Sequence, residues 1–337
     1  MVLAEFLDQW NDDNTARMLV HTSGSTGKPK PLWVEKRRME ASARATCQYL
    51  GLKAGNTALL CMPLDYIAGK MMVVRSLVAN LQLVVVEPDG HPLKDLETDI
   101  DFAAMVPLQV YNSLQVPAER QRLMRIKHLI IGGSAIDEAL AKELRPFPHA
   151  VWSTYGMTET LSHIALRRLN GPAASQWYTP LPGVKVSLND QGCLVIDASH
   201  LCEGLLETND IATIKQTKMA KQEDDLQHND EPKQAFRILG RLDNVLVSGG
   251  IKIQIEEVER ALHPHLSVPY RIVKCHDQKF GEVVGLQFVP LSAENAESET
   301  AMVKQICQKV LPKYWQPKAY FPVKEIERTA TGKIKRG

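Results

Sequence analysis

Short apolar runs at residues 57–62 (TALLCM), 81–87 (LQLVVVE), 127–133 (KHLIIGG) and 150–156 (AVWSTYG) are separated by longer stretches of different spacing. In those stretches, as at 36–51 (KRRMEASARATCQYLG) and 135–147 (AIDEALAKELRPF), apolar residues recur with a helical period. A strand that is followed by a helix returns to a parallel neighbour, so repeated alternation builds a layered sheet covered by helices. The expected fold class is α/β, with a mostly parallel sheet in the N-terminal part of the chain.

The pattern changes further on. Residues 184–196 (VKVSLNDQGCLVI) read as two strands around a polar Asn-Asp-Gln-Gly turn, so a β-rich subdomain is expected there. Residues 215–234 (KQTKMAKQEDDLQHNDEPKQ) nearly lack large apolar side chains and read as a solvated loop, an extended hairpin or disordered chain. Strand-like residues 236–241 (FRILGR) follow. The remainder has its own strands (VLVSGGIKI, RIVKCHD, VVGLQFVPL) and helices (IEEVERALHP, ETAMVKQICQKVLP), the composition of a small α+β domain. Two domains, 1–242 and 243–337, are therefore expected in this chain of 337 residues, since single cores rarely grow beyond about 250–300 residues.

With 40 Lys and Arg against 39 Asp and Glu, the formal net charge is +1. No global field draws such a chain to nucleic acid or to an anionic membrane, so an anionic ligand has to be held locally. The six cysteines (Cys47, Cys61, Cys193, Cys202, Cys275, Cys307) show neither a C-x-x-C pair nor metal-ligand spacing, which suits a reduced, intracellular protein. The first residues, MVLAEFLDQWNDDNTAR, carry acidic groups where a signal peptide has a basic start, and no run approaches about 18 apolar residues. A cytoplasmic protein without membrane insertion is expected; composition leaves a homo-oligomer open.

Gly, Ser and Thr are concentrated at Thr22, Ser23, Gly24, Ser25, Thr26, Gly27 and Lys28. Such a stretch suits an anion cradle, because glycine lets backbone N–H groups converge on a phosphate while hydroxyls donate further bonds. A flexible surface loop has the same composition. The G-x-x-x-x-G-K-[S/T] loop of kinases and GTPases does not fit: Gly24 and Gly27 are too close, and Pro29 stands where the magnesium-binding hydroxyl would be.

The stretch 22–30 (TSGSTGKPK) resembles the phosphate loop of the adenylate-forming superfamily of acyl-CoA synthetases, luciferases and peptide-synthetase adenylation domains. Further matches follow in the family's order: 155–159 (YGMTE), 207–210 (ETND, with Asn209 in place of the usual glycine), 240–244 (GRLDN), 247–253 (VSGGIKI) and 329–335 (TATGKIK). The resemblance covers nearly the whole chain. It implies ATP, Mg2+ and coenzyme A as ligands, with residues 22–28 around the phosphates, Tyr155 against adenine, and Gly156 and Met157 among the nucleotide-binding residues. Thr158 would contact the α-phosphate, Glu159 would hold Mg2+, and Asp210 and Arg241 would reach the ribose. Asp243 would be the hinge of a mobile C-terminal lid, Ser248, Gly249 and Gly250 would present backbone to the ligand channel, and Lys333 would be the catalytic lysine.

The phosphate loop begins near residue 22, whereas most members carry a long segment before it, so the N-terminal domain is expected to be truncated relative to the family. Residues 63–70 (PLDYIAGK) and 158–167 (TETLSHIALR) further resemble the o-succinylbenzoate-CoA ligases of menaquinone-making bacteria. The implied reaction joins o-succinylbenzoate to ATP as an acyl-adenylate, releases pyrophosphate and passes the acyl group to coenzyme A. A dicarboxylic aromatic acid needs a cation or hydroxyls for the carboxylate that is not activated, together with apolar walls. Lys70, Arg75, Ser134 and His163 are the polar candidates; Tyr66, Ile67, Gly132 and Gly133 are candidate walls. Lys70 and Arg75 read equally well as a solvated helix face, and His163 as a satisfied core histidine. Another aryl- or fatty-acyl-CoA ligase, a carrier-loading module and a non-catalytic nucleotide-binding protein remain as alternatives.

Overall fold

The computed structural model describes residues 1–21, 31–217, 233–292 and 295–327. The phosphate-loop stretch 22–30 and the C-terminal residues 328–337, Lys333 included, lie outside the described residues, as does 218–232 within the polar segment. The chain divides into two compact units: Met1–Ser187 with Val195–Leu206 and Ile214–Arg237, and Leu188–Leu194 with Glu207–Thr213 and Ile238–Gly337.

In the first unit, α1 (Leu3–Asn11) precedes the antiparallel pair β1 (Arg17–His21) and β2 (Pro31–Glu35). Next come α2 (Lys36–Leu50), β3 (Thr57–Leu60), α3 (Ile67–Ala79), β4 (Gln82–Val85) and β5 (Phe102–Met105). They are followed by α4 (Pro107–Gln115), α5 (Pro117–Arg125), β6 (His128–Ile131), α6 (Glu138–Leu144) and β7 (Ala150–Gly156). A 3-10 turn over Thr158–Thr160 leads to β8 (His163–Arg168) and β9 (Thr179–Pro180). The strands form a seven-stranded sheet in the order β4-β3-β5-β6-β7-β8-β9. All pairings from β4 to β7 are parallel, and β8 and β9 close the edge antiparallel. The expected α/β class with a mostly parallel sheet is what the structure has.

Two elements explain where charge ends up. α2 presents polar residues to solvent, buries Met39, Ala43, Thr46, Cys47 and Leu50, and stops at Gly51, whose left-handed φ of 67° a side chain would resist. α3 packs against α2, and every residue from Gly69 to Ser76 is buried, so two turns of it are interior while its ends, at Ala68 and Leu77, reach solvent. Lys70 and Arg75 stand inside that run. The solvated helix face that their types allowed is not what surrounds them.

A four-stranded sheet follows along the chain, in the order β10 (Lys185–Leu188), β11 (Cys193–Asp197), β12 (Leu205–Thr217) and β13 (Lys233–Arg241). The two strands read at 184–196 are thus β10 and β11. The polar segment begins and ends in strands, and its middle is not described.

In the second unit, a 3-10 turn at Leu242–Asn244 leads to β14 (Val245–Ser248), β15 (Ile251–Gln254), α7 (Ile255–Leu262), β16 (Tyr270–Asp277), β17 (Gly281–Phe288), α8 (Ala296–Val310) and β18 (Ala319–Pro322). The antiparallel order is β15-β14-β17-β16, and β18 joins β17 in parallel. α7 buries Ile255, Val258 and Leu262, one stripe at helical spacing, with Glu256 and Glu257 in its first turn and Arg260 in its last, as the helix dipole favours. These side chains join Leu246, Leu286, Phe288 and Val303 in a core of the unit's own. No helix among the described residues is long and apolar enough to cross a membrane.

Candidate active site

The sheet order places β3 between β4 and β5: the chain winds outward from β3 to β4, then returns to the other side of β3 and winds on through β5, β6 and β7. Ligands of open parallel sheets bind outside the carboxyl ends of the strands, at such a reversal. Tyr66 and Ile67 open α3 after β3, Gly132, Gly133 and Ser134 follow β6, and Tyr155 and Gly156 end β7. His163 starts the antiparallel β8 opposite Gly156, at the same end of the sheet. The candidates of the first unit therefore gather on one edge. His21 and Pro31, which flank the undescribed stretch, pair with each other, and His21 bridges to Tyr66.

Within this edge, residues 155–163 make a compact local structure. Tyr155 packs edge-on against Phe236 at 5.2 Å and lies 5.9 Å from Tyr178. A Cβ on Gly156 would stand 2.3 Å from Ser162 O and 2.5 Å from His163 Cα, so only glycine allows β7 and the start of β8 to approach this closely. Gly132 is similarly tight against the Thr154 hydroxyl. Thr160 Oγ1 accepts from the Met157 N–H at 3.0 Å and lies 2.8 Å from Ser162 O, holding the turn that carries Thr158 and Glu159. Thr158 is buried and Glu159 exposed.

Leu161 is one of two non-glycine residues with positive φ among the described residues. Its angles, φ 66° and ψ −36°, and the 2.7 Å bond from Ser162 N–H to Thr160 O describe a γ-turn, a strained geometry for a bulky residue. That turn aims Ser162 and His163 inward. Arg75 donates to Ser162 Oγ; Ser162 Oγ lies 3.2 Å from His163 Nδ1; His163 Nε2 lies 3.1 Å from Thr46 Oγ1; and Thr46 Oγ1 donates to Ser42 O at 3.1 Å.

Arg75 is 2% exposed and forms no ion pair with a carboxylate among the described residues. Its Nε has no hydrogen-bond partner there, and its guanidinium carbon lies 6.0 Å from the Phe102 ring centroid. Burial lowers its pKa to about 10, so the group still carries charge at neutral pH. Burial, and then the charge of Arg75, push the pKa of His163 well below the usual histidine value, which keeps the ring neutral. Lys70 spends one donor on Leu19 O at 2.7 Å, and burial lowers its pKa against the opposing pull of Asp65.

In the second unit, Arg241 bonds both Asp210 (3.3 Å) and Asp243 (2.7 Å), while Asn209 donates to Asp243 at 3.1 Å. Ser248, Gly249 and Gly250 form the tip between β14 and β15, and Gly249 N–H donates to Phe280 O at 2.9 Å. Among the described residues no group of three or more His, Cys, Asp or Glu side chains could hold a metal by protein ligands alone. Thr46 and Ser162 escaped the sequence reading. Ser162 stood beside a candidate histidine, but Thr46 on α2 carried no signal.

The family model described as AMP-binding enzyme matches residues 4–200. The chain is 33% identical to the acyl-CoA synthetase (AMP-forming)/AMP-acid ligase II-like protein of Dyadobacter fermentans, covering 98% of this chain and 90% of that structure with a TM-score of 0.63. It is 27% identical over 299 residues to the 2-succinylbenzoate–CoA ligase of Escherichia coli K12, which covers 88% of this chain and 62% of that protein. The chain thus spans less than two thirds of that relative's length. The fold is also that of the O-succinylbenzoate coenzyme A synthetase of Bacillus subtilis, solved with ATP and magnesium ion: TM-score 0.71 and 21% identity, over 94% of this chain and 68% of that one.

Proposed function

The chain belongs to the AMP-binding enzyme family, and from that premise we propose that it activates o-succinylbenzoate with ATP and then forms its coenzyme A thioester. The observation that carries the choice of acid is Arg75, a charged guanidinium buried without a counter-ion among the described residues. An unpaired buried charge costs several kcal/mol, and an anion arriving beside it recovers much of that cost. A simple fatty or aryl acid whose single carboxylate is being activated leaves Arg75 unneutralised; a second carboxylate does not. The 2-succinylbenzoate–CoA ligase named among the relatives supports the same choice.

In this reading the activated carboxylate attacks the α-phosphorus of ATP and pyrophosphate leaves, so the α–β bond breaks. The nucleophile is already ionised and needs no general base; what the chain must supply is charge neutralisation where two anions meet. We assign that task to Thr22, Ser23, Gly24, Ser25, Thr26, Gly27 and Lys28, to Thr158 and to Lys333. Tyr155 would face adenine, and Asp210 with Arg241 the ribose. An exposed Glu159, with no group of three or more His, Cys, Asp or Glu side chains placed to hold a metal among the described residues, suits Mg2+, which takes one or two carboxylates and completes its shell with phosphate oxygens. When bound, Mg2+ would neutralise phosphate charge. Residues 243–337 would form the lid that turns about Asp243 between the two half-reactions, letting the thiol of coenzyme A reach the acyl carbon.

The test is to incubate the protein with MgATP and a panel of o-succinylbenzoate, benzoate and medium-chain fatty acids, with and without coenzyme A, following pyrophosphate, AMP and ADP. Pyrophosphate and AMP chiefly with o-succinylbenzoate, and its thioester when coenzyme A is present, is the expected result. Turnover with a different acid discards the substrate, ADP discards the reaction, and nucleotide binding without turnover with any acid favours a non-catalytic role.

A further inference from the structure

The hydrogen bonds around Arg75 have a single consistent direction. Thr46 has one hydroxyl proton, which goes to Ser42 O, so its oxygen accepts from His163 and the Nε2 of that ring carries the proton. The Nδ1 of His163 is then an acceptor and takes the proton of Ser162 Oγ, leaving the Ser162 oxygen to accept from Arg75. Both ring nitrogens of His163 are engaged, and the ring is buried, 6% exposed. His163 is thereby occupied in holding a serine, which in turn holds a guanidinium.

We propose that Thr46, His163 and Ser162 form a positioning relay that fixes the guanidinium of Arg75 in the orientation that receives the second carboxylate of the acid, so that these three residues determine selectivity for diacids over monoacids. The proposal rests on the reading above, that Arg75 meets that carboxylate. Two features point to a built device. The γ-turn at Leu161 places Ser162 at a cost in backbone strain. Among the described residues Arg75 also retains an unpartnered Nε after Ser162 has been satisfied, so a donor is left over for a ligand. Neutrality of His163 is part of the arrangement, because a protonated Nδ1 would turn from acceptor to donor and break the chain at Ser162.

The experiment compares Thr46→Val, which keeps the shape but removes the terminal acceptor, with Thr46→Ser, which restores it. Rates are measured on o-succinylbenzoate and on its two monoacid analogues, 4-oxo-4-phenylbutanoate and 2-butyrylbenzoate, one of which retains whichever carboxylate is activated. Thr46→Val is expected to raise KM for the diacid about 10-fold with little change in kcat, to leave the active monoacid within 2-fold, and to be rescued by Thr46→Ser. Equal losses on both acids, or no loss on either, overturn the relay while leaving the substrate reading intact. A wild-type protein that does not prefer the diacid overturns the substrate reading, and the relay with it. In the unliganded protein, 15N shifts of the His163 ring, assigned through His163→Gln, are expected to show the Nε2–H tautomer; the Nδ1–H tautomer overturns the relay independently of any substrate.

Discussion

Arg75 holds its charge in a helix whose neighbouring residues, from Gly69 to Ser76, are all buried, and this sets a conflict between stability and function. Replacing buried ion pairs with apolar side chains of similar volume is often neutral or stabilising, by up to about 4 kcal/mol, and an unpaired buried charge has no partner's attraction to lose. Arg75→Met should therefore leave the thermal midpoint unchanged or higher. Losing charge-assisted bonds to the acid should cost about 2–3 kcal/mol of binding, roughly a 30- to 150-fold rise in KM for o-succinylbenzoate. A lower midpoint with an unchanged KM would make Arg75 a purely structural residue. His163 yields a second prediction. Its folded pKa lies well below the ordinary 6.5, with burial the larger cause and Arg75 the smaller. The unfolded chain thus binds the proton more readily, so this residue's contribution to stability is complete above about pH 6.5 and is lost as pH falls further. Stability should therefore fall between pH 8 and 5.5. Urea unfolding of wild type and His163→Gln at both pH values should show that difference between the two proteins; identical pH slopes would contradict it.

The elements show what a sequence discloses and what it does not. β3, β4, β6 and β7 each lie within an apolar run that reads as a strand, and α2 spans almost all of its helical stretch. β5 did not announce itself: Phe102–Met105 is four residues long and half alanine. It is a strand because β3 and β6 pair with it on either side, a tertiary effect that outweighs weak local preference. The site divides in the same way. Motif residues such as Tyr155, Gly156 and Glu159 are contiguous and legible, whereas Thr46 and His163 meet across 117 residues of sequence. Lys70 and Arg75 read about equally well as pocket cations and as surface charges, because residue type says little about how deeply a helix is buried. The glycine of 155–159 can be tested as a packing element. Gly156→Ala pushes a methyl into the Ser162 and His163 backbone, which cannot swing aside as a side chain can. A loss of about 2–3 kcal/mol in urea unfolding is expected, together with loss of diacid selectivity because the relay is displaced. Unchanged stability would mean that the β7 to β8 junction is more pliant than its close contacts indicate.

At the scale of the whole molecule, the two proposed half-reactions make opposite demands. Adenylation needs positive charge beside two meeting anions, and thioester formation needs that space opened for a thiol. A second unit with its own core, built on α7, α8 and its own sheet, supplies a body on which such a charge can be carried separately from the acid's pocket. We assign the charge to Lys333 and the pivot to Asp243, which lies in the turn Leu242–Asn244 and whose carboxylate accepts from Arg241 at the end of β13 and from Asn209 on β12. Lys333→Ala should reduce pyrophosphate release by at least 100-fold, the order that loss of one electrostatic stabiliser removes. It should spare thioester formation from supplied acyl-adenylate within a few-fold. At the pivot, Asp243→Ala removes the side-chain bonds and leaves the backbone free, whereas Asp243→Pro removes the same bonds and also fixes φ. If rotation at this residue separates the steps, Asp243→Pro slows one half-reaction far more than the other and Asp243→Ala affects both mildly. Parallel rate losses in the two variants would trace the effect to the Arg241 and Asn209 bonds and place the pivot elsewhere.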